Sequence, residues 1–321
     1  MGCGHIARKM ADTLSRMTEA EACAVASRSE ERARAFAAEW HIGKAYGSYE
    51  ALVADPEIDL VYIATPHSEH YRNATLCISG GKPVLCEKAF TATAAQAEAL
   101  VRLAEEKQVF ITEAIWTRYM PLSHKIAELV RQGAIGKPDM LSANLGYVIH
   151  GKERIMRPEL AGGALLDIGI YPLHFAAMAF GSDIAGTAST CLKTDTGVDG
   201  KESITLTYAD GRMACLQSTI WSQTDRMGII SGDGGCLVVE NINNPQSVRI
   251  LDRNYQVAAT YEAPPQITGF EYQVQACMEA IRNGWIESPC IPHAETLRIM
   301  HQMDALRKEW GVRYPWDEWP E

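Results

Sequence analysis

The 321-residue sequence is short of basic residues, of long apolar runs and of paired cysteines. Thirty lysines and arginines stand against 40 acidic residues, a formal net charge of −10, so we do not expect nucleic acid as a partner. No apolar run reaches the length of a membrane span, and no signal peptide is found, so we expect no membrane partner.

Metal-binding patterns are also scarce. The nine cysteines are scattered without zinc-type spacing, which favours reduced thiols and a cytoplasmic location. His67 and His70 form an H-x-x-H pair, but no acid or cysteine nearby completes a ligand set, so we expect no metal.

The sequence further lacks a strand ahead of its first motif. Residues 2–7 match the dinucleotide-binding turn G-x-G-x-x-A, which normally follows a buried strand, yet only Met1 precedes it. We therefore expect Met1 to be an internal methionine of a longer gene product, and weak cofactor binding and low stability if the strand is truly missing.

Each small residue of this glycine turn has a steric role. The first glycine allows the tight turn, the second lets the pyrophosphate of the cofactor approach the backbone, and the third position must be small. The expected cofactor contacts here are Gly2, Gly4, His5, Ile6 and Ala7.

Short apolar strands alternate with helices in the first part of the chain, which predicts βαβ units and a parallel sheet. The fold class is therefore α/β, with an N-terminal doubly wound Rossmann sheet. Strands are predicted over residues 21–27, 59–64, 83–86 and 109–112, and helices over 6–14, 28–40, 69–79 and 93–107.

The end of the second strand of such a fold indicates which cofactor binds. NAD-binding folds carry an acid there for the ribose 2′-hydroxyl, whereas NADP-binding folds carry an arginine for the 2′-phosphate. This chain has Ser27 and Arg28 and no acid. Because a guanidinium offers several donors in a planar fork, we expect Arg28 to bind the 2′-phosphate, with Ser27 as a further cofactor contact, and NADP rather than NAD as the cofactor. The open alternative is a solvated arginine at a helix start.

The second half of the sequence changes to strands. These are predicted over 141–149, 187–193, 203–208, 213–220, 228–231, 237–240, 247–251 and 257–261, with helices over 164–180, 268–282 and 293–310. Alternating polar and apolar residues over 203–208 are typical of a sheet with one wet face. We predict a Rossmann domain over residues 1–115 and an α+β domain over 116–321 for substrate binding and oligomerisation.

Several motifs together resemble those of the Gfo/Idh/MocA oxidoreductases. Besides the glycine turn, they are the stretches 64–66 with His70, 81–88, 162–171 and 232–235. Within that family, residues 113–119 and the tyrosine of Asp-x-Gly-x-Tyr are most similar to the trans-1,2-dihydrodiol dehydrogenase and D-xylose dehydrogenase branch, which prefers NADP. Many other members have histidine where Tyr171 stands. The resemblance implies a large, mostly antiparallel C-terminal sheet, a homodimer or higher oligomer, and further cofactor contacts at Thr65, Pro66, His70, Glu87 and Lys88.

The resemblance also implies a catalytic set of Lys88, Asp167 and Tyr171. Oxidising a secondary alcohol moves a hydride to the nicotinamide and a proton to a base. Asp167 and Tyr171 are four residues apart on a predicted helix and share one face. We expect Tyr171 to be the acid/base and Lys88 its electrostatic partner, while Asp167 orients Lys88 or a substrate hydroxyl. Ala89 stands where the family has proline, a loss that loosens the backbone restriction on Lys88.

Aromatic residues near the predicted domain junction suit the C–H face of a sugar or the ring of a dihydrodiol. An aldose, a polyol and a cyclic diol stay open as the small-molecule substrate. The alternative function is a sensor that binds the nucleotide without catalysing a reaction. Such a sensor would be expected to lack the catalytic set, whereas this chain keeps all three residues. The expected substrate contacts are Trp116, Arg118, Tyr119, Trp221 and Phe270.

Overall fold

The computed structural model of the protein describes residues 1–317, and contacts group them into two units. Unit 1 is Met1–Trp116 with Gln266–His301, and unit 2 is Thr117–Pro265 with the chain from Gln302 onward. The units are not two consecutive stretches, because the chain returns to unit 1 after Pro265. The domain boundary between residues 115 and 116 itself stays a prediction.

Unit 1 alternates strands and helices, as the sequence predicts. A three-residue strand and a five-residue helix within residues 44–53 were not predicted. Its elements, numbered along the chain, are α1 (His5–Arg16), β1 (Ala24–Ala26), α2 (Glu30–Trp40), β2 (Lys44–Tyr46), α3 (Tyr49–Val53), β3 (Val61–Ile63), α4 (His67–Ser79), β4 (Val84–Glu87), α5 (Ala94–Lys107), β5 (Ile111–Ala114) and, later in the chain, α9 (Glu271–Arg282).

All the strand pairs of unit 1 are parallel, which confirms the Rossmann-type prediction. They form two sheets, β1–β2 and β3–β4–β5, so β1 and β3 each lie at an edge. Met1 and Gly2 lie between these edges. Gly2 N donates to Ala26 O (3.0 Å), and Ala64 N donates to Met1 O (2.9 Å). The glycine turn is thus fixed at the carboxyl ends of both strands.

Hydroxyl side chains cap the N-termini of three of the helices of unit 1. Ser29 accepts a hydrogen bond from Arg32 N at α2, Ser48 accepts one at α3, and Thr93 accepts one at α5. Each cap satisfies a backbone N–H that the helix leaves without an internal partner.

Unit 2 is built on one eight-stranded sheet in the order β13–β12–β11–β10–β6–β9–β8–β7. Every neighbouring pair is antiparallel except β6–β9, which confirms the prediction of a large, mostly antiparallel sheet. Helix α8 packs on β6 and β9. The elements are α6 (Pro121–Arg131), β6 (Pro138–Gly146), α7 (Glu153–Met156), α8 (Ile170–Phe180), β7 (Ile184–Lys193), β8 (Asp199–Tyr208), β9 (Met213–Thr219), β10 (Gly228–Gly232), β11 (Gly235–Val239), β12 (Ser247–Asp252) and β13 (Val257–Glu262); α10 (His293–Trp310) has residues in both units.

One helical stretch corrects the expectation that no segment is long and apolar enough to span a membrane. Pro158–Phe180 has 23 residues and a mean hydropathy of 1.4, and it meets that test. However, 94% of its apolar window is buried inside the protein. The core helix of a globular unit has the same composition, and burial assigns this segment to the core of unit 2.

Candidate functional site

The glycine turn of unit 1 has the geometry that its sequence requires. Gly2 has φ +95°, and a Cβ there would lie 2.7 Å from Ala64 O, so only glycine fits. Gly4 is exposed, and a Cβ there would meet nothing within 4 Å. Ala7 is buried against Val25 and Phe36, which explains the small third residue. The first turn of α1 has no side-chain cap, so its N–H groups are available to an anion.

The turn after β1 offers a second anion site. Ser27 N donates to Tyr46 O, and Arg28 is exposed. Burial raises the pKa of the Tyr49 phenol, while the positive charges of Arg28 and Arg32 oppose that rise. Arg32 therefore lies close to the predicted 2′-phosphate contact, although the sequence analysis did not single it out. Its position four residues after Arg28 in the sequence was the available signal.

The turns after β3 and β4 are held together by His70. Its ring is fully buried, with Nδ1 2.8 Å from Ala89 O and Nε2 2.9 Å from Thr65 O. Burial lowers the pKa of this histidine. Both ring nitrogens contact backbone oxygens, so His70 positions the segment that contains Lys88. Its predicted direct contact with a cofactor stays a prediction, as does that of Pro66 at the start of α4.

Glu87 and Lys88 lie at the carboxyl end of β4. The Glu87 carboxylate accepts hydrogen bonds from the Tyr62 hydroxyl and from Lys88 N (3.3 Å). Glu113, at the next strand end, is 2% exposed and accepts from Phe90 N (3.1 Å) and Thr296 Oγ1 (3.2 Å). Burial raises the pKa of Glu113 to about 7. The two carboxyls thus hold the backbone on both sides of Ala89.

Lys9 is a further charged residue at this edge that the sequence analysis missed. Its ammonium lies 4.1 Å from the ring centre of Trp116 and 4.3 Å from that of Phe270. Burial lowers the pKa of Lys9, and the charges of Glu87 and Glu271 oppose that shift. The structure therefore brings together two of the predicted substrate residues, Trp116 and Phe270, around a cation. Their ring centres are 4.8 Å apart.

In unit 2 the predicted helix over 164–180 begins with a π-helical turn, Leu165–Gly169, which continues into α8. Asp167 lies in this turn and accepts two hydrogen bonds from the Arg154 guanidinium, at 2.9 and 3.3 Å. Tyr171 follows in the first turn of α8 and is 8% exposed. Arg154 was not predicted, because nothing in its sequence spacing points to Asp167. π-helical turns are frequent at functional sites.

Two buried acids of β8 support this helical segment. Asp199 accepts a hydrogen bond from Leu165 N at 2.5 Å, and Glu202 accepts one from the Ser218 hydroxyl. Burial raises the pKa of both carboxyls. A Cβ at Gly169 would overlap Glu202, so the glycine lets the helix lie directly on the acid.

The remaining predicted substrate residues also belong to unit 2. Arg118 and Tyr119 lie in a single 3-10 turn, Trp116–Tyr119, in which Tyr119 is buried. The ring of Trp221 covers Gly200, where a Cβ would overlap it. Trp221 and Phe270, both expected as substrate contacts, are assigned to different units. Within residues 1–317, no three metal-ligating side chains come together.

Comparison with known proteins gives consistent matches over nearly the whole chain. Residues 1–114 match the GFO_IDH_MocA model, described as an oxidoreductase family with an NAD-binding Rossmann fold, and residues 123–238 match the GFO/IDH/MocA C-terminal domain. A trans-1,2-dihydrobenzene-1,2-diol dehydrogenase of Xenopus tropicalis is 34% identical over 91% of this chain and 90% of its own length. A D-xylose 1-dehydrogenase (NADP(+)) of Hypocrea jecorina is 34% identical over 85% of this chain and 78% of its own length.

Solved structures show the same fold. A 3-ketoreductase from Actinomadura kijaniata, in complex with NADP and TDP-benzene, is 25% identical with a TM-score of 0.86, covering 96% of this chain and 95% of that one. An aldose-aldose oxidoreductase from Caulobacter crescentus has a TM-score of 0.87 at 22% identity, covers 97% of this chain and 96% of that one, and shows the fold alone.

Proposed function

The chain belongs to the Gfo/Idh/MocA oxidoreductase family, and we propose that it transfers a hydride between NADP and a secondary alcohol of a sugar, polyol or cyclic diol. The observation that carries this proposal is the shared edge of unit 1. Hydrogen bonds of Met1 and Gly2 place the glycine turn beside the ends of β1 and β3, and Ile63 pairs with Cys86 of β4. Ligands of parallel sheets bind at this edge.

The residues present fit NADP. The open first turn of α1 suits the pyrophosphate, and the exposed guanidinium of Arg28, with Arg32 one turn on, suits a 2′-phosphate. The D-xylose dehydrogenase relative is named for NADP(+), and the 3-ketoreductase structure contains NADP, which supports the same choice. The hydride acceptor is the nicotinamide ring that bound NADP supplies.

Residues of this chain remove the proton of the substrate hydroxyl. We assign to Tyr171 Oη the removal of the hydroxyl proton from the substrate, as the carbon–hydrogen bond breaks and a carbonyl forms. Lys88, which follows β4, keeps the proposed role of electrostatic partner that the family resemblance implies. Arg154 fixes the Asp167 carboxylate one turn before Tyr171. A base placed in this way contributes about 10²–10⁴-fold to the rate.

Replacing Arg28 with aspartate tests the cofactor assignment. We expect Arg28→Asp to weaken NADP binding about 30–150-fold, because a charge-assisted contact of about 2–3 kcal/mol is lost, while NAD binding holds or improves. Arg34→Asp, on the exposed face of α2, makes the same charge change and serves as the control. An unchanged ratio of NADP to NAD affinity in Arg28→Asp would refute the assignment.

Removing the hydroxyl of Tyr171 tests its proposed role as the base. Tyr171→Phe should lower kcat about 10²–10⁴-fold with NADP affinity retained, since the ring stays and only the proton acceptor is lost. Tyr255→Phe, at a residue 81% exposed, is the matched control and should leave kcat unchanged. Undiminished turnover of a diol or aldose by Tyr171→Phe would rule out this base.

We also propose a cytoplasmic homodimer. Nine free cysteines support a reducing compartment. The edge strand β7 is exposed over most of its length, including Leu192 at 54%, which supports an interface there. Light scattering after gel filtration should give twice the 35.3 kDa chain mass, and the single-chain mass would contradict it.

A further inference from the structure

Lys9 is a charged residue of unit 1 to which the proposed hydride transfer gives no role. It lies in the second turn of α1, after the glycine turn, and its side chain is half-buried. Burial lowers the pKa of its amine, while the charges of Glu87 and Glu271 oppose that shift. Because removing an ammonium from water is costly, its position at this edge requires compensating partners.

Two aromatic rings provide that compensation. The Lys9 ammonium lies 4.1 Å from the ring centre of Trp116 and 4.3 Å from that of Phe270. Both distances are inside the limit of about 6 Å at which the negative face of a ring attracts a cation. This attraction grows as water is removed, and Trp116 and Phe270 are only 6% and 2% exposed. One ammonium therefore binds two buried rings.

The two rings form a tilted pair. Their centres are 4.8 Å apart and their planes meet at 41°. Aromatic pairs prefer an offset-stacked or an edge-to-face arrangement, and this angle lies between the two. The ammonium, which is close to both rings, is the contact that can set such an angle.

The loop that leads into α9 is held by hydrogen bonds that do not involve Lys9. Glu271 is 4% exposed, and its carboxylate accepts hydrogen bonds from the three backbone N–H groups of residues 267–269. On α1, the hydroxyl of Thr13 contacts that of Thr268 at 2.6 Å. Loss of the Lys9 charge should therefore act on the rings more than on the main chain.

We propose that Lys9 is a positioning residue for the substrate, whose charge fixes the orientation of the rings of Trp116 and Phe270. Both rings are expected substrate contacts, so the inference rests on the proposed function. It assigns the orientation of these contacts to one charge on α1, the helix that follows the glycine turn. Because Lys9 acts through the rings, its loss should weaken substrate binding rather than slow hydride transfer.

Lys9→Met tests this role, because it removes the charge and keeps an unbranched side chain. With whichever of D-xylose and a trans-dihydrodiol the chain turns over faster, KM should rise about 5–30-fold, which corresponds to about 1–2 kcal/mol. The values of kcat and of NADP affinity should stay within about twofold. Lys9→Arg keeps the cation and should restore KM. Lys107→Met removes the same charge at an exposed position of α5 and should leave KM unchanged.

Near-ultraviolet circular dichroism follows the rings without any turnover. Lys9→Met should change the tryptophan bands of the spectrum. The same substitution in a Trp116→Phe background should change them much less, since Trp116 is the indole that meets the ammonium.

An unchanged KM in Lys9→Met would overturn the proposal. So would a rise in KM that Lys9→Arg does not reverse, because it would assign the effect to shape rather than to charge. A matching loss of NADP affinity or of kcat would also overturn it, since Lys9 would then act on the cofactor or on the chemistry. Unchanged tryptophan bands would refute the fixing of the rings and leave the proposed function intact. If no alcohol is turned over, the proposed function fails, and the role of Lys9 in substrate binding fails with it.

Discussion

Glu113 gives the sharpest prediction of stability against pH. This carboxyl is 2% exposed at the end of β5, and burial raises its pKa from 4.5 to about 7. Between these two values the folded protein binds a proton that the unfolded chain does not. The stabilisation is therefore complete below about pH 4.5 and is lost as the pH rises through about 7. A shift of this size corresponds to about 3 kcal/mol.

Glu113→Gln removes the titrating carboxyl while keeping the shape of the side chain and an oxygen that accepts a hydrogen bond from Phe90 N. From about pH 5 to about pH 8, wild type should lose about 2–3 kcal/mol relative to the variant. Urea unfolding at several pH values measures this difference, in which the titrations of His70 and Asp199 cancel because both proteins contain them. Glu106→Gln, on the exposed side of α5, should track wild type. Parallel stability curves for Glu113→Gln and wild type would refute the reasoning.

Two further substitutions test the packing of unit 2, one just before the π-helical turn and one on α10. Gly163→Ala should lower the free energy of unfolding in urea by about 2–4 kcal/mol, because φ is +115° and the new Cβ overlaps Asp199. Gly197→Ala is the control, with φ +89° but open space around the new Cβ, and should lower it by about 1 kcal/mol. Equal losses in the two variants would contradict this explanation. Arg307→Met should cost about 3–5 kcal/mol, since it removes the two hydrogen bonds of 2.8 and 2.9 Å that Arg307 donates to the buried Asp317 carboxylate and leaves that carboxylate only its bond from Tyr314 N. Adding Asp317→Leu should recover part of that loss, and no recovery would argue against the pair.

Most of the strands and helices could be predicted because their signals are local. The alternation over residues 203–208 lies within β8, and the apolar stretch 83–86 matches β4 almost residue for residue. The three-residue β2 and the five-residue α3 were not predicted because they are too short to show the alternation of a strand or the helical spacing of apolar residues.

The candidate site was only partly predictable, because several of its contacts join distant parts of the sequence. Lys9 meets Trp116 and Phe270, more than a hundred residues away. Arg154 binds Asp167, which lies in a π-helical turn that hydrophobic periodicity does not distinguish from an α-helix. By contrast, the glycine turn was readable, since Gly2 and Ala7 lie at positions where a larger side chain would not fit.

Turnover by the purified chain tests the central claim most directly. The protein is mixed with NADP and, in turn, with D-xylose, other aldoses, polyols and a trans-dihydrodiol, while the absorbance of the reduced nicotinamide is followed and NADP binding is measured by calorimetry. We expect NADP binding and reduction of NADP with at least one of these alcohols, with the turnover lost in Tyr171→Phe. Tight NADP binding with no turnover of any of them would contradict the proposed dehydrogenase activity and favour a nucleotide sensor.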